Sequence, residues 1–391
     1  MFNFEVKNNI WKFYLIKFLY GLCFALPIMS LFWADNGLSL TEIMLLQSLF
    51  SIATFVFEIP SGYFADKFGR KKTIVFAAIF YFLGSLIYCF GFDFFTFLIA
   101  ELLLGLGVSF LSGADDALLY DSLKENKQEK NYKKIYGNAN FVYFLSIAFS
   151  SIIGGFVGAL NFRFDLMLTA FAGFLFIPIA ILLKEPKVFS EEKDVMQSIP
   201  QILKSCFIKN KRLKWLLIFS GVLFGINQSV LWLYQPYFIL SGLNVVFFGF
   251  VFASFQIVAA IASKFAHKIE AKIGQKFALM SLFVLLALSY LLMGSFVFWF
   301  SFSFAFLQQF IRGFGKVIVT DYINKEVSSS QRATVLSINS FLYRLIYALI
   351  IPFFGWFADV YSLLNALTIM GLTALVGGII IIVILWKQKI I

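Results

Sequence analysis

Residues 62–73 read GYFADKFGRKKT, a run of small residues, one aspartate and four cations between two strongly apolar segments. The chain has 391 residues, of which 61% are hydrophobic and 14% are charged, whereas an average soluble protein has about 25% charged residues. A single soluble core stops growing near about 250–300 residues, so it cannot bury this much apolar surface. The charged run is therefore a polar connection in a chain that lies mostly in a lipid bilayer.

Apolar runs of about 20 residues recur along the whole chain, and each is long enough to cross the hydrocarbon layer as an α-helix. We predict an all-α membrane protein with twelve transmembrane helices in two pseudo-symmetric six-helix bundles, 1–184 and 213–391. The polar stretch 185–212 is the predicted cytoplasmic linker, and its second part is expected to lie on the membrane surface as an amphipathic helix. The predicted spans are residues 11–33, 41–64, 73–92, 95–121, 135–160, 165–184, 213–239, 245–265, 276–293, 297–320, 333–357 and 363–386.

The distribution of lysine and arginine predicts the orientation of the chain. All but five of the 32 lysines and arginines fall in the termini and connections on one side of the membrane. The positive-inside rule therefore places both termini and residues 62–73 in the cytoplasm, with the protein in the inner (cytoplasmic) membrane. The net charge of +11 belongs to loops that face anionic lipid headgroups, so no nucleic-acid partner is expected. The five exceptions are Lys17, Arg163, Arg312, Lys316 and Arg344.

A weak internal repeat supports two related halves. At an offset of 200 residues Asp121 matches Asp321, and Tyr143 matches Tyr343. Two halves related by an axis along the membrane normal, with a binding site between them, are typical of alternating-access transporters.

The charged connection between spans 2 and 3 resembles the signature of the major facilitator superfamily, Gly-x-x-x-Asp-(Arg/Lys)-x-Gly-(Arg/Lys)-(Arg/Lys). The resemblance covers the whole chain, since the motif, its position and the number of spans agree. It implies a twelve-helix transporter in which this motif is a conformational latch. The matching residues are Gly62, Asp66, Lys67, Gly69, Arg70 and Lys71.

The residue types of this motif have physical roles that do not depend on the resemblance. We expect Gly62 to permit close backbone approach and Gly69 to allow a tight left-handed turn between two helices. Asp66 is expected to cap a helix N-terminus. Arg70 is expected to bridge carboxylates through its planar guanidinium, with Asp121 at the cytoplasmic end of span 4 as its partner. The alternative is a positively charged membrane anchor without a gating role.

Two further patterns of the superfamily are present in part. Span 4 keeps Gly105 and Gly107 of Arg-x-x-x-Gly-x-Gly but has Glu101 at the arginine position. Span 5 keeps Gly154 and Gly155 of the exporter pattern Gly-Pro-x-x-Gly-Gly. The resemblance is to the drug-efflux-type branches, and it favours export.

Ionisable groups in the middle of a membrane cost at least about 2.5–3.5 kcal/mol each and therefore indicate function. The spacing predicts an acidic stripe along span 4 from Glu101 to Asp116 and a basic stripe along span 10 that includes Arg312 and Lys316. We expect Asp115 or Asp116 to pair with Arg312 or Lys316 when the cytoplasmic side is closed, and protonation of the aspartate to weaken that pair. A static ion pair within one half is the alternative. The candidates for proton coupling are Glu58, Glu101, Asp115 and Asp116.

Candidate substrate-binding residues lie on both halves. The spacing predicts that Gln228, Trp232 and Gln235 share one face of span 7, which would suit a largely apolar solute with a few hydrogen bonds. For the deep cations Lys17 and Arg344 two interpretations stay open, an anionic group of the substrate or a carboxylate in the same half. The candidates are Lys17, Tyr20, Tyr143, Asn227, Gln228, Trp232, Gln235, Gln256 and Arg344.

Together these features predict a proton-coupled secondary transporter that works by alternating access and exports drugs or other amphiphilic small molecules as an antiporter. The alternatives are a symporter that takes up a small metabolite, such as an anion, and a lipid or lysolipid flippase. No phosphate-binding loop or catalytic constellation is present, so we expect no enzyme activity and no cofactor, with the proton gradient as the energy source. We expect a monomer, and no metal site, because the three cysteines and the single histidine are scattered.

Overall fold

The computed structural model describes residues 8–187, 204–328, 331–388 and 390, which are almost entirely helical and contain no β-strand. Short 3-10 helices cover Glu129–Asn131, Val245–Phe247 and Ser301–Phe304, and π-helical turns cover Ser205–Lys209 and Ile311–Gly315. The α-helices are α1 (Asn9–Gly21), α2 (Met29–Asp35), α3 (Leu40–Phe68), α4 (Arg70–Phe90), α5 (Phe94–Leu111), α6 (Ala114–Glu125), α7 (Tyr132–Gly158), α8 (Phe162–Leu182), α9 (Lys211–Gln228), α10 (Tyr234–Leu240), α11 (Phe248–Ser295), α12 (Ala305–Phe310), α13 (Lys316–Lys325), α14 (Arg332–Val360) and α15 (Leu363–Lys387).

Eight helical segments of the described chain are long and apolar enough to cross a membrane. Predicted spans 2, 3, 5, 6, 11 and 12 are the continuous helices α3, α4, α7, α8, α14 and α15. Predicted spans 8 and 9 form α11, with a turn at Gly274, where φ is 75° and ψ is 163°. Each of the twelve predicted spans therefore coincides with helical segments of the described chain.

Spans 1, 4, 7 and 10 are interrupted, although the sequence predicted continuous helices. In span 1, residues 22–28 separate α1 from α2 and include Pro27, which cannot donate a helical hydrogen bond. In span 4, Gly113 with a φ of 79° separates α5 from α6. Span 7 leaves the helical conformation after Gln228, and span 10 contains the π-helical turn. Irregular backbone at membrane depth is tolerated where it is buried in protein or lines a cavity, so these interruptions point to function.

Contacts between residues divide the chain into two units. Unit 1 comprises Met1–Leu38, Leu49–Glu191 and Asn244–Ala253, and unit 2 comprises Ser39–Ser48, Glu192–Leu243 and Ser254–Ile391. Residues 188–203 of the predicted linker, with part of the expected surface helix, lie outside the described residues. The domain boundaries predicted from the sequence remain a prediction.

Helix α4 is central to unit 1, where it packs along both α5 and α8. Small residues bring these helices close together. A Cβ atom added to Gly107 would lie 3.1 Å from the backbone nitrogen of Tyr81, and one added to Gly173 would lie 3.1 Å from the ring of the same tyrosine. Close backbone approach of this kind is how helices associate in lipid, where apolar burial gives little driving force. The buried layer formed by α4 and its neighbours includes Ile16, Leu19, Ala77, Leu118 and Phe176.

The beginning of α3 belongs to unit 2, and Asp359 of α14 holds it. The N–H groups of Leu40 and Thr41 donate to the Asp359 carboxylate at 3.0 Å and 2.7 Å, and the Thr41 hydroxyl donates to it at 2.5 Å. The next N–H, that of Glu42, donates to Ser39 Oγ at 3.2 Å, and Ser39 N–H donates to Glu42 Oε2 at 2.9 Å. This capping box and the aspartate together satisfy the free donors of the first turn.

We expect Asp359→Ala to unfold at a lower temperature than the wild type in detergent micelles. The substitution removes the acceptor of three hydrogen bonds at a helix N-terminus, and a capping side chain contributes about 0.5–2 kcal/mol. Asp35→Ala is the control, because Asp35 is an exposed carboxylate in the last turn of α2. Equal melting temperatures for wild type and Asp359→Ala would contradict this role.

Candidate functional site

The signature motif forms the junction between α3 and α4 in unit 1. Gly69 links the helices with a φ of 98°, in the left-handed region that the sequence predicted for it. Arg70 Nη1 donates to the backbone oxygen of Ala117 at 2.7 Å and forms the predicted ion pair with Asp121 on α6. The motif therefore ties the start of α4 to the end of span 4.

The residue that caps α4 is Glu185, which was not among the residues predicted to act with the motif. Its two carboxylate oxygens accept from the N–H groups of Arg70 at 2.8 Å and Lys71 at 2.7 Å. A negative charge at this position is favoured by the dipole of the helix. Glu185 follows α8, so three separate segments of unit 1 meet at the motif.

Two expectations for the motif are wrong. Asp66 lies in the last turn of α3, so it does not cap a helix N-terminus; Glu185 does. Gly62 is exposed, and a Cβ atom added there would meet no atom within 4 Å among the described residues. Close backbone approach therefore does not explain this glycine. Lys67 lies 5.6 Å from the ring centre of Tyr63.

The second feature of unit 1 is a partly buried charged cluster, which we define as Lys17, Asp115, Asp116 and Tyr136. Lys17 Nζ of α1 lies 2.5 Å from Asp115 Oδ2 and 3.7 Å from Asp116 Oδ1. Tyr136 of α7 donates its hydroxyl to Asp116 Oδ2 at 3.2 Å. Of the interpretations left open for Lys17, the structure shows the carboxylate in the same half.

The local fold explains why both carboxylates reach Lys17. The turn at Gly113 starts the new helix α6 at Ala114, so Asp115 and Asp116 occupy its first turn, where the helix dipole favours negative charge. Asp115 Oδ1 also accepts from the N–H of Asp116 at 2.7 Å. The two aspartates differ in exposure, at 7% for the Asp115 side chain and 36% for Asp116. Asp116 is therefore the more accessible member of the pair.

The same turn interrupts the predicted acidic stripe of span 4. Because α5 and α6 are separate helices, the helical spacing that linked Glu101 to Asp116 does not hold. Glu101 is buried on α5, where Tyr88 of α4 donates to its Oε1 at 2.5 Å. The predicted pairing of Asp115 or Asp116 with Arg312 or Lys316 involves residues of different units and stays a prediction.

An aromatic cluster extends the charged cluster along α1. Tyr20 stacks on Tyr143 of α7 with ring centres 5.9 Å apart, and it also contacts Tyr81 of α4 at 5.4 Å.

Gly154 and Gly155, which the sequence analysis above related to an exporter pattern, allow close packing in unit 1. A Cβ atom on Gly154 would clash with the backbone oxygen of Phe24, and one on Gly155 would lie 2.8 Å from the backbone nitrogen of Gly249.

Unit 2 contains a polar network beside the π-helical turn of span 10. Arg312 Nη2 donates to Gln256 Oε1 of α11 at 2.7 Å. The buried Gln309 donates its Nε2 to the hydroxyl of Tyr234 at 3.0 Å, and Tyr234 in turn donates to Gln308. π-Helical turns often occur at functional sites because they shift side chains out of helical register.

The predicted face of span 7 is not a helix face, because α9 ends at Gln228. Trp232 lies in the following turn and donates its indole N–H to the hydroxyl of Tyr347 at 3.1 Å, and Gln235 is fully buried at the start of α10. Asn227 is buried near the end of α9.

The remaining candidates have these positions. Lys316 Nζ lies over the ring of Tyr343 at 5.4 Å. Arg344 is half-buried near the middle of α14, and Glu58 is exposed on α3. No group of three or more potential metal-ligating side chains occurs among the described residues.

A helical fold with many membrane spans, paired charged side chains within the spans and a charged motif between spans 2 and 3 are typical of a membrane transporter. The chain belongs to the Major Facilitator Superfamily, whose family model matches residues 13–344 and, in a second match, 217–389. The predicted family is thereby confirmed, and the family is one of transporters.

The chain is similar to individual members of the family. It is 27% identical over 349 residues to the uncharacterized MFS-type transporter YxaM of Bacillus subtilis, with 84% of each chain covered. It is 22% identical over 185 residues to the quinolone resistance protein NorA of Staphylococcus aureus, which covers 46% of this chain and 47% of NorA. The crystal structure of the nucleoside transporter NupG superimposes with a TM-score of 0.81 at 13% identity, covering 96% of this chain and 98% of NupG. This likeness confirms the predicted fold.

We expect Lys17→Met to destabilise the protein strongly. The substitution leaves two carboxylates in the cluster without their cation, and removing one partner of a buried ion pair typically costs about 3–5 kcal/mol. The double variant Lys17→Met/Asp115→Asn removes one of these charges and should recover part of the melting temperature in detergent. The control is Lys133→Met, at an exposed position of α7. A Lys17→Met variant as stable as the control would show that the cluster does not require the lysine.

Gly69→Ala should lower the melting temperature more than Glu185→Gln. The alanine is strained at a φ of 98°, and its Cβ would lie 2.9 Å from Glu185 Oε2. The glutamine keeps the shape of the side chain but has one acceptor oxygen instead of two, so it loses one of the two hydrogen bonds and a charge–dipole interaction of about 0.3–1 kcal/mol. Gly62→Ala is the control, since its Cβ meets open space. The reverse order of the two effects would contradict this account of the junction.

Proposed function

We propose that this protein is a proton-coupled secondary transporter that works by alternating access and exports amphiphilic small molecules, drugs among them. The observation that carries the proposal is the cluster of Lys17, Asp115 and Asp116, which holds two carboxylates and one ammonium group. When both aspartates are ionised, the three side chains carry a net charge of −1. Binding of one proton makes the cluster neutral.

Asp116 is the better proton acceptor of the two aspartates. Asp115 makes the short contact with Lys17, whereas Asp116 Oδ1 lies 3.7 Å from Nζ and has no hydrogen-bond partner among the described residues. The side chain of Asp116 is also the more exposed of the two, so a proton can reach it. An ionisable group inside a membrane protein commonly belongs to such a proton pathway.

The cluster and the latch motif share helix α6, which connects protonation to conformation in this proposal. Asp115 and Asp116 lie in the first turn of α6, and Asp121, the partner of Arg70, lies five residues after Asp116. Neutralising Asp116 weakens the attraction between the start of α6 and Lys17 on α1. A shift of α6 would then act directly on the ion pair at the motif.

The proposed substrate class rests on the polar network of unit 2 and on one relative. The network of Gln256, Gln309, Arg312 and Tyr234 offers a few hydrogen bonds among aromatic side chains, the composition expected for an amphiphilic ligand. The partial similarity to a quinolone resistance protein makes a quinolone the first probe.

In proteoliposomes with an acidic lumen, we expect the wild type to accumulate a fluorescent quinolone as protons leave. Asp116→Asn should still bind the quinolone in equilibrium dialysis, but more weakly than the wild type, because the asparagine mimics the protonated aspartate, and it should accumulate no more than protein-free liposomes. The matched control is Asp321→Asn, since Asp321 is an exposed aspartate on α13 paired with Lys325.

Three results would contradict the proposal. Accumulation of the quinolone by Asp116→Asn at the wild-type level would show that proton coupling does not require the charged cluster. Accumulation that requires an alkaline lumen would indicate symport. Transfer of a fluorescent lysolipid between leaflets, with no movement of quinolone, would indicate a flippase.

A further inference from the structure

The carboxylate of Asp165 is buried in unit 1 without a hydrogen-bond partner. The residue is 0% exposed, and neither Oδ1 nor Oδ2 contacts a donor among the described residues. Asp165 lies in the first turn of α8, at the opposite end of that helix from Leu182. Neither the latch motif nor the charged cluster uses it, and it was not among the candidates that the sequence suggested.

Asp165 faces the interrupted part of span 1 and the end of α7. A Cβ atom on Gly158 would lie 2.5 Å from Asp165 Oδ2 and 2.9 Å from Cγ2 of Ile28, so the glycine makes room for the carboxyl group. The Thr169 hydroxyl donates to the backbone oxygen of Asp165 at 2.8 Å and accepts from the N–H of Ala25 at 3.3 Å. That hydroxyl is therefore occupied by backbone groups, one of them in the break between α1 and α2.

The charged and titratable groups around Asp165 do not neutralise it. Arg163, two residues away, donates to the backbone oxygens of Cys89 and Gly91 at 2.8 Å and 3.0 Å, so its guanidinium is held at the end of α4. Cys23, in the break of span 1, carries no positive charge in either protonation state, so it cannot neutralise a carboxylate. On α4 and α5, Tyr88 is hydrogen-bonded to Glu101. No residue of the described part of α7 forms an ion pair with Asp165.

An isolated carboxylate in a low-dielectric interior is so unfavourable that the group takes up a proton instead. We propose that Asp165 is a second proton-binding site of this protein, which holds its proton at neutral pH while the break in span 1 covers it. A proton is the cation that fits, because a metal ion needs several oxygen ligands and the neighbouring hydroxyl is already occupied.

The site is distinct from the charged cluster. The other end of α8 lies near the start of α1, where Lys12 Nζ donates to the backbone oxygen of Leu182 at 2.6 Å. Asp165 is 17 residues before Leu182, which corresponds to about 25 Å of helix. Lys17 is five residues after Lys12 on α1, so it lies about 8 Å from that same end. Unit 1 therefore has a titratable group near each of its two ends.

The proposal that Asp165 is protonated does not depend on the proposed function, whereas a role for Asp165 in the transport cycle rests on it. In that cycle the two groups would bind protons from opposite sides of the membrane. Movement of residues 22–28 would expose Asp165 and release its proton.

Infrared difference spectroscopy of the purified protein in detergent tests the protonation without any transport assay. At neutral pH, the spectrum of the wild type minus that of Asp165→Asn should contain the C=O stretching band of one protonated carboxylic acid. The wild type minus Asp35→Asn spectrum should contain no such band, because Asp35 is an exposed carboxylate. Asp165→Glu, which keeps the acid if the asparagine variant fails to fold, should retain the band at a shifted frequency.

Two results would overturn the proposal. One is the absence of a carboxylic-acid band in the Asp165 difference spectra, with carboxylate bands in its place. The other is a band that disappears when Na⁺ replaces K⁺ at constant pH, since this would identify a metal-cation site. If the carboxylic-acid band is present but proteoliposomes show no proton-coupled transport, the protonation of Asp165 is supported and the proposed function is contradicted. The two failures are therefore distinguishable.

Discussion

The contact between Lys17 and the two aspartates at the start of α6 is the interaction on which the rest of unit 1 depends. Charges in the low-dielectric interior of a membrane protein must be paired, and this requirement fixes the relative positions of α1, α6 and α7. The turn at Gly113 makes α6 begin at Ala114, and from this position Asp115 and Asp116 reach the lysine. One ammonium group for two carboxylates leaves a single charge that a proton can neutralise.

Interrupted helices occur beside three of the polar sites that the structure places within the spans. The break in span 1 lies beside Asp165, the turn in span 4 positions the charged cluster, and the π-helical turn of span 10 carries Arg312. In each case the backbone leaves regular geometry next to a side chain that can bind a proton or a polar ligand. Regular helices such as α4 and α8 supply the close packing that holds these segments in place.

The sequence predicted the features that depend on local composition and failed at those that depend on distant contacts. Hydropathy located the spans, and the motif at 62–73 led to the ion pair of Arg70 with Asp121. Helical periodicity assumes a continuous helix, so the stripe through Glu101 and Asp116 and the face of span 7 were wrong. Glu185 is far along the chain from the helix that it caps, and Asp165 stands at the edge of an apolar run, so neither had a local signal.

The central claim is that ligand binding and protonation of the charged cluster are linked, and proton release from the purified protein tests it most directly. A pH-sensitive dye in weakly buffered detergent solution would report protons as a quinolone is added at neutral pH. The account predicts the release of about one proton per bound quinolone in the wild type and none in Asp116→Asn, because the cluster holds one exchangeable proton. Saturable binding of the quinolone without any release of protons would contradict it.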